Sequence, residues 1–148
     1  MSSRVLSLGL AAAVFIGTAA CDEALSSLTG PTPNLAPTLS SIQKEIFDTT
    51  DSSGRLACTN CHNGVNPFVP GNLRAGSAYG TLVNVRSVQK PNLFRVAPGD
   101  PDNSYIIHKL EGRADIVGLR MPRGTGPFLT DGQLLVLRRW IELGAKND

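Results

Sequence analysis

Two cysteines three positions apart, followed at once by a histidine, constrain this chain more than any other feature: Cys58-Thr59-Asn60-Cys61-His62. The C-x-x-C-H run is the pattern of covalent haem attachment. Thiols at this spacing on a short helical turn reach the two vinyl groups on one edge of a porphyrin. The next residue then projects its imidazole at the iron. Cys58 and Cys61 are therefore expected to carry thioether links to one haem c, with His62 as the proximal iron ligand. A thioredoxin-type redox pair needs a βαβ context, which the flanking sequence lacks. A structural zinc site needs four ligands, and only His108 remains to join this cluster.

The third cysteine has a different setting. Arg4 is followed by the apolar run Leu8 to Ile16, and Gly17, Thr18, Ala19 and Ala20 then lead directly to Cys21. A positive start, an apolar stretch and a small-residue cleavage zone read as a secretory signal, too short for a comfortable membrane span. Small residues before a cysteine resemble the bacterial lipobox, in which the thiol is acylated and the cysteine becomes the new N-terminus. Thr18 stands where that pattern more often has Leu. A diacylated cysteine with a further N-acyl chain exceeds the two chains that stable anchoring requires.

Residues 1–20 are thus expected to be a lipoprotein signal peptide, and 21–39 a lipidated Cys21 with a flexible tether containing Ser26, Ser27, Gly30, Pro31, Pro33 and Pro37. Eighteen residues at about 3.1 Å each extend roughly 55 Å. Haem is attached outside the bacterial cytoplasm, so the leader and the haem motif agree on one location. It is the cell envelope, with the protein lipid-anchored and facing the periplasm or the cell surface. Asp22 and Glu23 leave inner and outer membrane both open.

Charge is nearly balanced, with 14 Lys and Arg against 12 Asp and Glu. No basic stripe points to nucleic acid and no acidic block to a solvating tail. Five Phe, two Tyr and one Trp make a thin aromatic supply for a core, which a large apolar cofactor would supplement.

A six-coordinate electron carrier needs a second axial ligand, normally Met or His. Beyond the leader only Met121 and His108 offer one. Met121 lies in Gly118-Leu119-Arg120-Met121-Pro122-Arg123-Gly124, a segment with the Gly and Pro content of a constrained loop. It is the preferred distal ligand. His108 is the runner-up and reads instead as a solvated-face residue of a short helix, with Asp100 as N-cap and Pro101 at the first helical position. Thioether ligation raises the reduction potential relative to a second imidazole, and a filled sixth position favours electron transfer over catalysis.

Around these residues, Ser40 to Phe47 reads as an amphipathic helix with Ile42, Ile46 and Phe47 on one face. Thr130 and Gln133 form a capping-box pattern ahead of Leu134, Leu137, Trp140 and Ile141 at helical spacing, with Gly144 at the end. Trp140 is expected to pack rather than react. Ala75 to Leu82 predicts a short helix and residues 83–98 are mostly irregular, with an extended piece at Phe94-Arg95-Val96. Asp48 to Gly54 reads as a solvated loop, the alternative being a cation site at Asp48 and Asp51.

The order of these features resembles a known group. An Ile-Phe helix and C-x-x-C-H are followed by Tyr79-Gly80-Thr81-Leu82-Val83-Asn84-Val85, then by Val96-Ala97-Pro98-Gly99-Asp100-Pro101-Asp102-Asn103-Ser104. Met121-Pro122 comes next, and Arg139-Trp140-Ile141-Glu142-Leu143-Gly144-Ala145 closes the chain. Together they resemble the planctomycete-type c-type cytochrome domains, relatives of small class I cytochromes c, over roughly residues 40–146. The resemblance implies a mainly α fold, a small cytochrome c-like helical domain over 40–148 around one covalent haem, with long irregular loops. It implies Cys58 and Cys61 as attachment points and His62 and Met121 as axial ligands. The segment Asp48–Leu56 is longer than usual in that group. Small class I cytochromes often use a proline carbonyl to orient the proximal His, for which Pro67 and Pro70 stand as candidates. Arg74, Arg95, Arg120 and Arg123 are candidates for the propionates.

The expected function is single-electron transfer between a donor and an acceptor redox protein, without an enzymatic step. The alternative is a haem enzyme or gas-sensing module, peroxidase-like, with an open or labile sixth position. The sequence leaves the oligomeric state open.

Overall fold

The computed structural model describes residues 35–124 and 126–148. The expected signal peptide, Cys21 and most of the expected tether lie outside the described residues. Four helices and long loops make up the described chain: α1 (Leu39–Ile42), α2 (Ala78–Leu82), α3 (Tyr105–Glu111) and α4 (Asp131–Glu142). No strand forms among the described residues. Isolated bridges pair Val83 with Val96, Arg86 with Phe94, and Phe94 with Ser104. This is the expected small α class with irregular connections.

The two terminal helices share one core. Ile42 of α1, and Ile46 and Phe47 in the turn that continues it, join Val136, Leu137, Trp140 and Ile141 from α4 in a single buried cluster with Val96 and Ile107. The sequence periodicity anticipates both faces. The Thr130 hydroxyl accepts from the Gln133 amide while the Gln133 side chain accepts from the Thr130 amide, a complete capping box. At the other end of the domain, the Thr38 hydroxyl accepts from the Ser41 amide. The Asp148 side chain and main-chain oxygen accept from the Leu39 and Ser40 amides at 2.8 and 2.9 Å. Those contacts satisfy N–H groups that a helix start leaves without partners. They also tie the C-terminal segment to α1.

Trp140 is fully packed, and its indole donates to the Lys146 carbonyl at 2.9 Å. Trp140→Ala should therefore cost about 3–5 kcal/mol, measured by denaturant titration.

Two expectations need correction. The helix expected to begin at Pro101 starts at Tyr105 with Ser104 as its N-cap. Asp100 instead accepts from the Asn103 amide within a turn, and the Ser104 hydroxyl is engaged with Ala97 and Asp100. The first helical amides bond outward, Tyr105 to the Phe94 carbonyl and Ile106 to that of Arg95. Long-range pairing with the 94–95 segment thus competes with local capping and wins.

His108 does not lie on a solvated face. It is 6% exposed, and its Nδ1 lies 3.2 Å from Asp115 Oδ2 while its Nε2 lies 2.7 Å from the Asp102 carbonyl. Its sequence neighbour Lys109 is buried too, because both residues are covered by the 112–121 loop.

Candidate functional site

The haem-motif segment is positioned by an unusual helix end. α1 runs on into a π-helical turn, Gln43–Phe47, where the Asp48 amide bonds the Gln43 carbonyl. The wider turn brings Gln43, Ile46 and Phe47 all inward. Its terminal carbonyls have no helical partners and are taken by the residues that follow. Thr59 Oγ1 donates to the Phe47 carbonyl at 3.1 Å, and Cys58 Sγ lies 3.7 Å from that of Ile46.

Arg55 supplies the rest. Its side chain is completely buried, pairs with Asp51 at 3.0 Å, and donates to the carbonyls of Ile46, Thr49 and Leu56. A guanidinium at the negative end of a helix is electrostatically favourable. The long Asp48–Leu56 segment therefore folds back under the π turn, and Asp51 meets the cation of its own chain. Sequence reading missed this knot, since a lone Arg in a polar stretch looks solvated.

Cys58–Asn60 forms a 3-10 turn, and the His62 amide bonds the Cys58 carbonyl at 2.9 Å. The following loop is pinned at its base by a bond from the Leu73 amide to the His62 carbonyl at 2.8 Å. Gly64 makes that base possible. Its φ is +78°, and a Cβ there would lie 2.9 Å from the Asn72 side chain. Within the loop the Pro70 carbonyl lies 3.0 Å from His62 Nδ1. A hydrogen bond from Nδ1–H to this carbonyl fixes the tautomer with Nε2 as the free lone pair, the arrangement of an oriented metal-binding imidazole. Of the two prolines considered, Pro70 sets its carbonyl against His62, and Pro67 does not.

Cys58, Cys61, His62 and Met121 all contribute to the wall of one cavity of about 500 Å³, within the range of cofactor pockets. Its wall is mostly apolar and includes Leu73, Leu82, Ile106 and Leu137. Five of the large apolar residues exposed on this protein, Leu56, Phe68, Val88, Val117 and Leu119, also line it, with Phe68 90% exposed. Apolar surface gathered at one open cavity is unfavourable in water and suits a large apolar occupant. Among the propionate candidates, Arg95 and Arg123 line the cavity and Arg74 and Arg120 do not. Arg120 instead donates to the Leu110 carbonyl and stacks on Phe128.

Met121 is half-buried against the core, and its amide bonds the Lys109 carbonyl at 2.9 Å. His108 does not line the cavity, and both its ring nitrogens have protein partners. Burial pushes the Cys58 thiol up to about 11, whereas a thioredoxin-type pair depends on a lowered thiol pKa. The residues present therefore fit a covalent haem, with Cys58 and Cys61 to hold it, His62 and Met121 to face its iron, and apolar walls to cover its rings.

No family model matches the chain, and no curated protein and no solved structure matches it either.

Proposed function

We propose that this chain is a monohaem c-type cytochrome that carries single electrons between protein partners outside the cytoplasm. The observation that carries the reading is the convergence of Cys58, Cys61, His62 and Met121 on one apolar cavity, with the Pro70 carbonyl on the far nitrogen of His62. Bound haem supplies a one-electron ferric–ferrous couple.

The chain's own residues do the rest. Cys58 and Cys61 would hold the cofactor through thioether links, and Pro70 holds His62 with Nε2 free. The Met121 thioether would be the second protein ligand to the iron, and thioether ligation would favour the reduced state. Leu73, Leu82, Ile106 and Leu137 exclude water, which limits reorganisation when charge changes. Arg95 and Arg123 are the arginines at the cavity wall that could meet acidic groups of the cofactor. Cys21 serves as the acylated anchor of the mature protein, on the membrane side of a tether that reaches a periplasmic or surface-facing domain.

The test is expression with the native leader in a bacterium that attaches haem covalently. The expected result is a c-type pyridine haemochrome spectrum, a reversible one-electron titration and no carbon monoxide uptake by the reduced protein at neutral pH. Rapid stoichiometric carbon monoxide binding would instead assign the haem-enzyme or gas-sensing class.

A further inference from the structure

Helix α3 holds the Met121 segment in a way that ordinary loop packing does not require. Residues 117–121 have no helix or strand of their own. Their backbone is nevertheless bonded to one side of α3. The Tyr105 hydroxyl accepts from the Val117 amide at 3.0 Å and donates to Gln89 at 3.2 Å. One turn on, Lys109 Nζ donates to the carbonyls of Val117 at 2.9 Å and Leu119 at 2.5 Å. The Lys109 carbonyl then accepts from the Met121 amide. Tyr105 and Lys109 both line the apolar cavity, as does Met121.

Lys109 is the unexpected member. It is 9% exposed, and among the described residues no carboxylate pairs with it. A buried ammonium without an acid is costly, and an apolar residue of similar length would fill the space at less cost. What the charge provides is two strong donor contacts to carbonyls two residues apart in an otherwise irregular loop.

We propose that Lys109 is a positioning residue for the distal ligand, its ammonium clamping the 117 and 119 carbonyls so that Met121 is held at the cavity wall. This rests on the proposed ligation of haem iron by Met121. Without that donor the two carbonyls, on residues 47% and 56% exposed, exchange their tie to α3 for water, and the loop is free to swing outward. Tyr105 assists from the amide side of the same loop.

The experiment uses the haem-loaded full chain and Lys109→Met, which keeps length and apolar volume. The expected result is intact covalent haem and helical circular dichroism, with weaker charge-transfer absorption of thioether on ferric iron. Imidazole should bind the ferric protein about ten- to a hundredfold more tightly, because opening the loop becomes easier. Hydrogen exchange at the Met121 amide should speed up in parallel. Lys109→Arg, which restores cationic donors, should recover part of each signal. Should Lys109→Met fail to accumulate, Tyr105→Phe removes one contact to the same loop and is expected to shift the same readouts less.

Unchanged imidazole affinity and unchanged Met121 amide exchange in a folded Lys109→Met protein would overturn the proposal. A wild-type spectrum that Met121→Ala leaves unaltered would remove the ligation itself, and the proposal would fall with it. The two failures are therefore separable.

Discussion

On the proposed ligation of haem iron by Met121, Met121→Ala is expected to give an iron that binds carbon monoxide in the ferrous form and imidazole in the ferric form. Met121 is half-buried, its amide is fixed to Lys109, and it lines the same cavity as His62. Among the described residues His108 offers no replacement, because it lies outside the cavity with both nitrogens engaged. Met121→His supplies the complementary test. It should retain haem and lower the potential, since a second imidazole stabilises the oxidised state relative to thioether. A drop of about 60 mV or more, a tenfold change in the one-electron equilibrium, is the expected scale. Redox titration and carbon monoxide binding read the two variants. An Ala variant spectrally identical to the wild type would rule Met121 out as a ligand.

Asp51→Asn should produce the largest stability change outside the hydrophobic core. Arg55 is completely buried and Asp51 is its one ionic partner among the described residues, with the Ile46, Thr49 and Leu56 carbonyls as further acceptors. Removing the carboxylate leaves a buried guanidinium uncompensated, at a cost of about 3 kcal/mol. The effect has a pH signature. Burial works to raise the Asp51 pKa, but the Ser53 hydroxyl and the Arg55 cation outweigh it and hold the carboxyl below its usual 3.8. A depressed folded-state pKa means a contribution fully present above pH 3.8 and lost as pH falls through the lower folded value. Denaturant midpoints for Asp51→Asn should thus lie well below wild type at neutral pH and converge with it in strong acid. Parallel curves across that range would contradict the pairing.

The local signals in the sequence survive well where they act within a few residues. The Thr130–Gln133 box and the apolar spacing of α4 need only neighbours one or two turns away, and the structure forms both as read. The inward face of Ile42, Ile46 and Phe47 is likewise legible, although its π turn is not: an i to i+5 bond leaves no composition signature. What the sequence hides is long-range. Arg55 looks solvated until nine residues of chain fold it back beneath Ile46. His108 and Lys109 look like a polar helix face until a loop ten residues further on covers them. Asp100-Pro101 carries a genuine helix-start pattern, but the Phe94 and Arg95 carbonyls capture the amides of Tyr105 and Ile106. At the site, the spacing of the haem motif carries Cys58, Cys61 and His62. The choice of Pro70 over Pro67, and the clamp on Met121, exist only in three dimensions.

The sharpest measurement is the intact mass of the mature protein, purified under denaturing conditions from cells with a working covalent haem-attachment system. One haem per chain, surviving denaturation and lost when Cys58 and Cys61 are both replaced by alanine, is the result expected. A polypeptide mass without any tetrapyrrole, from cells that load a control cytochrome normally, would contradict the proposed function at its root.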